Sequence, residues 1–96
     1  MEKSIKKIVR EAQLRYVEVK GNKQTAIKLI EEMGELIQAL AKKLGESTDE
    51  GLDQHISEEI AHVLFYSGAL LSIDKPEYRG VHDEILKKAN KVLDKY

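Results

Sequence analysis

An all-α fold of four amphipathic helices is what this sequence predicts, and three observations carry it. Apolar residues recur at intervals of three and four along nearly the whole chain. No stretch alternates apolar and polar residues for the length of a strand. The composition is that of a helical bundle: 34% charged and 5% aromatic, with one Pro in 96 residues. A chain this short makes a single domain, spanning 1–96, and buries a limited share of its surface. Oligomerisation is then the natural way to complete the bundle.

The elements follow in order. From about Glu2 to Lys20, the residues Ile5, Ile8, Val9, Ala12, Tyr16 and Val19 mark one face of a helix. Gly21 and Asn22 end it, and Asn22 or Thr25 can cap the next element. From about Lys23 to Leu44, Ala26, Ile30, Met33, Ile37, Leu40 and Leu44 repeat in steps of four and three as a core stripe, which Leu29 and Leu36 widen. Gly45 is placed as the stop, and the polar run Gly45 to Asp53 reads as a loop. A third helix, about Gln54 to Ile73, starts amphipathic with Ile56, Ile60 and Val63, then becomes apolar on almost every side. Such a helix needs cover all round, which predicts a subunit interface over Val63 to Ile73. Asp74-Lys75-Pro76 breaks the chain, and a fourth helix from about Val81 to Lys95 carries Val81, Ile85, Ala89, Val92 and Tyr96.

Charge and cysteine content narrow the function classes. Sixteen basic and 17 acidic residues leave a formal charge of -1, so no basic surface for nucleic acid or membrane is expected. The absence of cysteine removes disulfides and thiolate metal sites. The start Met-Glu-Lys-Ser has no signal-peptide core, and no run is long enough to span a bilayer, which predicts a cytoplasmic protein.

Chemistry concentrates in two acidic motifs. Glu31, Glu32 and Glu35 form EExxE in the second predicted helix. At about 100° per residue, Glu32 and Glu35 project together at the edge of the apolar face. On the third helix Glu58 and Glu59 precede His62; Glu59 lies beside Ile56 and Val63, and Tyr66 and His55 fall on the side of His62. If the two helices pack antiparallel, Glu32 and Glu35 face Glu59 and His62. Carboxylates gathered this way repel one another and lose hydration, and a divalent cation is the usual compensation. Glu31 and Glu58 read as solvated charges, and Lys28, one turn before Glu32, can pair with it.

The run KLIEEMGELIQAL (Lys28 to Leu40), followed by SEEIAHVLFYSGALL (Ser57 to Leu71), resembles the signature of MazG-like nucleotide pyrophosphohydrolases, in the all-α NTP pyrophosphatase superfamily. The resemblance covers about Ala26 to Asp74. It implies a MazG-like protomer in which Glu32, Glu35 and Glu59 hold Mg²⁺, with Mn²⁺ as a substitute, and take part in catalysis. It also implies hydrolysis of an NTP or dNTP to the monophosphate and pyrophosphate, in a house-cleaning role toward non-standard nucleotides, by a homodimer or a dimer of dimers. Lys28 and, on the last helix, Lys88, Asn90 and Lys91 are the implied substrate-binding candidates, with Lys87 beside them. In one position the chain departs from the family pattern: His62 stands where that pattern has Asp, and imidazole suits Mn²⁺, Fe²⁺, Ni²⁺ or Zn²⁺ better than Mg²⁺.

Two competing readings use the same residues. Glu59 and His62 form ExxH, which with Glu35 from another helix is the ligand pattern of a ferritin-like di-iron carboxylate bundle. Alternatively the chain is a catalytically inactive helical dimerisation module with solvated carboxylates.

Overall fold

The computed structural model describes residues 4–71 and 80–96, which contain three α-helices and no strand. Helix α1 runs Ile5–Leu44, α2 Leu52–Leu71 and α3 Val81–Lys95. The predicted end of the third segment at Ile73 and the break at Asp74-Lys75-Pro76 lie outside the described residues.

Three helices stand where four were expected, because the first two join with a single residue out of register. Gly21 adopts φ 84 and ψ 165, a region essentially restricted to glycine, and helical turns resume directly after it. Thr25 does not cap the second half through a backbone N–H. Its hydroxyl donates to the Gly21 carbonyl at 2.8 Å and is fully buried, tying the two halves together across the kink. Ser4 caps the start of α1 by accepting from the Lys7 N–H.

The C-terminal end of α1 closes with Ser47 N–H donating to the Lys42 carbonyl and Glu46 N–H to that of Lys43, a Schellman arrangement. Gly45 is the C-cap, as expected, yet the left-handed residue is Glu46 (φ 58). The loop reverses the chain, and α2 runs back antiparallel. The pairs Lys43–Asp53, Glu32–His62 and Tyr16–Tyr66 record the progression.

The seam between α1 and α2 differs from the predicted core stripe. Thr25, Glu32 and Ala39 are buried on α1, with Leu29 and Leu36 partly covered, against Leu52, Glu59, Ala69 and Leu70 on α2. Ile30, Met33, Ile37, Leu40 and Leu44 are exposed instead; Ile37 keeps 65% of its surface. The cause is geometric: α2 docks on the strip holding the small residues Thr25 and Ala39, well over a quarter turn round from the large aliphatics. Ile60 and Leu64 of α2 are exposed as well. On α1 the aliphatic strip and Glu35 lie on opposite sides of Glu32, and on α2 Ile60 and Leu64 lie opposite His62 about Glu59. In an antiparallel pair this puts Ile30, Met33, Ile37, Leu40, Leu44, Ile60 and Leu64 on one face of the hairpin and Glu35 with His62 on the other.

The bend at Gly21 folds the first half of α1 over the C-terminal part of α2. Gln13 donates to the Phe65 carbonyl at 2.9 Å, and its amide lies where any side chain at Gly68 would stand. Tyr16 meets Tyr66 edge to face with centroids 5.2 Å apart. Much of the cover predicted to come from a subunit over Val63 to Ile73 is therefore supplied within the protomer, though Leu64 remains 66% exposed.

Helix α3 has an apolar stripe and no buried residue. The whole chain exposes 7948 Å², against roughly 5,600 Å² for a compact monomer of this mass, and its radius of gyration is 16.1 Å against about 12.5 Å. Among the described residues, no helix is long and apolar enough to cross a membrane.

Two substitutions should move stability in opposite directions. Gly21→Ala forces a Cβ into a glycine-only conformation and should cost about 1–3 kcal/mol. Glu46→Gly relieves a left-handed non-glycine residue and should gain about 1 kcal/mol. Urea denaturation of both variants beside wild type reads the pair; the same sign for both would contradict this account of the two bends.

Candidate functional site

The site is built at the middle of the α1–α2 seam. Glu32 comes from the second half of α1, and Glu59 and His62 come from consecutive turns of α2. Neighbouring turns at Leu29 and Leu36 on α1, and Ile56 and Val63 on α2, are the apolar frame that holds the helices together at this height. Glu32 keeps 6% of its surface and Glu59 4%, whereas the His62 side chain is 51% exposed. Ligand-type atoms of these three residues all lie within 4.8 Å of one another, the metal-compatible group found among the described residues.

Charge compensation of the pair is incomplete. The Lys28 ammonium lies 3.3 Å from Glu32 Oε1 and 3.7 Å from Glu31, one carboxylate on each of the next two turn positions. His62 Nδ1 lies 3.2 Å from Glu32 Oε2 and 3.8 Å from Glu59 Oε2. Glu59 Oε2 is buried and has no hydrogen-bond partner. An ionised carboxylate oxygen left this way is costly, so either a proton or a cation belongs there.

The titration of the groups records the same conflict. The adjoining Glu32 carboxylate, with which it shares a hydrogen bond when protonated, then burial, then Glu35, push the Glu59 carboxyl up to about 7. Glu32 is held below the ordinary carboxylate range, first by the hydrogen bond from Glu59 and then by Lys28 and His62, against its burial. Lys28 is raised, chiefly by its bond to Glu32. Burial, then Tyr16, raises Tyr66. The pair therefore shares one proton near neutrality, as closely placed carboxylates do.

The other candidates are placed as follows. Glu35 is exposed and acts on Glu59, but stands outside the converging three. Glu31 is exposed beside Lys28, and Glu58 accepts from Gln54. Lys88, Asn90 and Lys91 lie exposed on α3. A di-iron reading through Glu35, Glu59 and His62 meets a different trio here, with Glu32 in the place of Glu35.

One part of the site was not foreseen from the sequence. Beside Tyr66, an open groove of about 430 Å³ is lined by Ala12, Arg15, Tyr16, Val19, Lys20 and Phe65. Its walls come from two segments 45 or more residues apart, joined by the Gln13–Phe65 bond. Gly68 inside an apolar helix was the available signal of such a close approach.

The described residues thus make an antiparallel helical hairpin with buried glutamates facing one another across its seam. The model of the MazG nucleotide pyrophosphohydrolase domain matches residues 20–95, and the chain belongs to that family. Comparison with curated proteins and with solved structures returns no significant match.

The raised Glu59 predicts a pH-dependent fold in the absence of metal. Between about 4.5 and 7 the unfolded chain releases this proton while the folded one retains it, so this group's contribution to stability falls as pH rises through that window. Glu32, lowered, acts below the window and in the opposite sense. In EDTA, urea midpoints should decline from pH 5 to pH 8, and Glu59→Gln should flatten the decline; an unchanged slope in the variant would refute the assignment.

Proposed function

We propose that this chain is a divalent-metal-dependent nucleoside triphosphate pyrophosphohydrolase, converting an NTP or dNTP and water to the monophosphate and pyrophosphate. The observation that carries the reading is the buried Glu32–Glu59 pair with its unpartnered oxygen, in a chain of the MazG family. Glu32, Glu59 and His62 are the residues that would hold the ion, Mg²⁺ or Mn²⁺, and Glu35 stands beside them at the rim. When bound, the ion offsets charge on the phosphate oxygens and lowers the pKa of a water. Lewis-acid help of this kind suits attack on a polyanionic triphosphate, whose negative charge otherwise repels a nucleophile.

The chain's own residues do the rest. Glu32 and Glu59, locked in the seam, supply a rigid anionic floor that neither rotates nor swells. Glu35, exposed and next to Glu59, is placed to take the proton of the attacking water as the bond from the α-phosphorus to the bridging oxygen breaks and pyrophosphate leaves. Lys28 holds Glu32 ionised and offers a cation at the site's edge for a phosphate oxygen. The groove lined by Tyr16 and Phe65 offers ring faces for the nucleoside end, with Arg15 and Lys20 at its border. Lys88, Asn90 and Lys91 would reach the phosphates from α3.

Assembly belongs to the same reading. The aliphatic face made by Ile30, Met33, Ile37, Leu40 and Leu44 with Ile60 and Leu64 lies opposite the carboxylates, so a second copy can cover it without closing the site. The excess exposed area is of the size that obligate interfaces bury. A homodimer or dimer of dimers, cytoplasmic and acting on non-standard nucleotides as a house-cleaning enzyme, is the setting we propose, with 1–96 as one domain.

Two measurements test this. With Mg²⁺ or Mn²⁺, a panel of NTPs and dNTPs should yield pyrophosphate, and Glu35→Gln should lower kcat by roughly 10²–10⁴-fold with helicity unchanged; no release from any nucleotide with either ion would overturn the activity. Sedimentation should show a dimer or larger for wild type and a smaller species for Ile37→Asp, while an assembly indifferent to that charge would place the interface elsewhere.

A further inference from the structure

The site's donor set is not the all-oxygen set that Mg²⁺ favours. We infer that Glu32, Glu59 and the Nδ1 atom of His62 form a centre selective for a divalent first-row transition-metal ion, Mn²⁺, Co²⁺ or Zn²⁺, over Mg²⁺. This rests on reading the cluster as the metal centre of the proposed hydrolase, and it concerns which ion the chain chooses.

Three observations carry it. First, the spacing fits one ion. Ligand atoms about 2.1 Å from a common centre stand roughly 3.0 Å apart when adjacent and about 4.2 Å apart when opposite in octahedral geometry. His62 Nδ1 is 3.2 Å from Glu32 Oε2 and 3.8 Å from Glu59 Oε2, and the three donors lie within 4.8 Å of one another. Second, Glu59 keeps 4% of its surface and its Oε2 has no hydrogen-bond partner, so a buried acceptor lies unpaired 3.8 Å from the imidazole nitrogen. Third, the imidazole is held by its place on α2, one turn after Glu59, with Nδ1 turned inward although half of the side chain meets solvent.

The donor chemistry then decides the class of ion. Mg²⁺ is small and hard, keeps several waters and binds carboxylate and phosphate oxygen. Imidazole nitrogen raises affinity along the series from Mn²⁺ through Co²⁺ to Cu²⁺, with Zn²⁺ close behind. Exchanging a carboxylate for imidazole also removes one negative charge, which weakens a hard, strongly hydrated ion more than one that gains from nitrogen coordination. Neither Lys28 nor Glu35 alters this choice, since Lys28 is engaged with Glu31 and Glu32 and Glu35 stands outside the converging group.

The experiment is done on the full chain stripped of metal, without nucleotide. Mn²⁺ binding is followed by loss of the free-ion EPR signal and Mg²⁺ by competition, for wild type and for His62→Asp, which restores an all-carboxylate set. Wild type should favour Mn²⁺ over Mg²⁺ by a ratio at least tenfold larger than the variant does. In the Co²⁺-loaded protein, a hyperfine-shifted exchangeable imidazole N–H signal should appear in the NMR spectrum and vanish in His62→Asp; His55 and His82 remain as internal controls. Equal ratios, no shifted signal, or a wild type that binds no ion would each overturn the inference. Should His62→Asp not fold, His62→Gln and the wild-type Co²⁺ spectrum decide the matter. NTP hydrolysis with Mg²⁺ and Mn²⁺ equally effective in both proteins would sink the selectivity and leave the hydrolase, whereas selective binding without turnover would do the reverse.

Discussion

Two glutamates buried against each other in a helix–helix seam are the constraint on which the rest of this molecule depends. A hairpin of two helices ordinarily places aliphatic side chains at its centre, where burial contributes most. Here Glu32 and Glu59 occupy that position, and ionised carboxylates lose hydration that protein dipoles return only in part. The surrounding features read as answers to that cost. Lys28 and His62 both press on Glu32, and the pair retains a proton near neutrality. The remaining unpartnered oxygen is the point where a proton or a cation would offset the buried charge.

The same constraint explains the division of the hairpin into two faces. With its centre given to carboxylates and to the small residues Thr25 and Ala39, the seam buries few large side chains, and the aliphatic residues of α1 point elsewhere. They collect on the face opposite Glu35 and His62. On the function proposed above, chemistry and association would be separated within a single pair of helices, a second copy covering the aliphatic face while the acidic edge stays open. The kink at Gly21 solves a second problem. It lets one continuous chain cover the C-terminal half of α2, which brings Tyr16 to Tyr66 and forms the groove lined by Tyr16 and Phe65.

Membership of the MazG nucleotide pyrophosphohydrolase family gives this geometry its chemical context. In the metal centre proposed above, His62 is the residue that would set the donor set apart, because a single imidazole among carboxylates changes both the net charge and the hardness of that set.

What the sequence determined by itself was local or periodic. The all-helical class, the loop after Leu44, the start of α3 at Val81 and the pairing of EExxE with Glu59 and His62 all follow from intervals of three and four and from turn residues, which are encoded within a few neighbours. Helix count was less legible at Gly21, where one glycine in an unusual conformation looks like a terminus in one dimension and is a bend in three. The face that becomes the seam was decided only in the folded chain. Periodicity shows that Ile30, Met33, Ile37, Leu40 and Leu44 form a stripe, but it cannot say whether α2 or another subunit meets it, since either one removes the same apolar surface from water. Packing gave α2 the strip with Thr25, Glu32 and Ala39, and so turned two glutamates expected at an edge into the buried centre of the molecule.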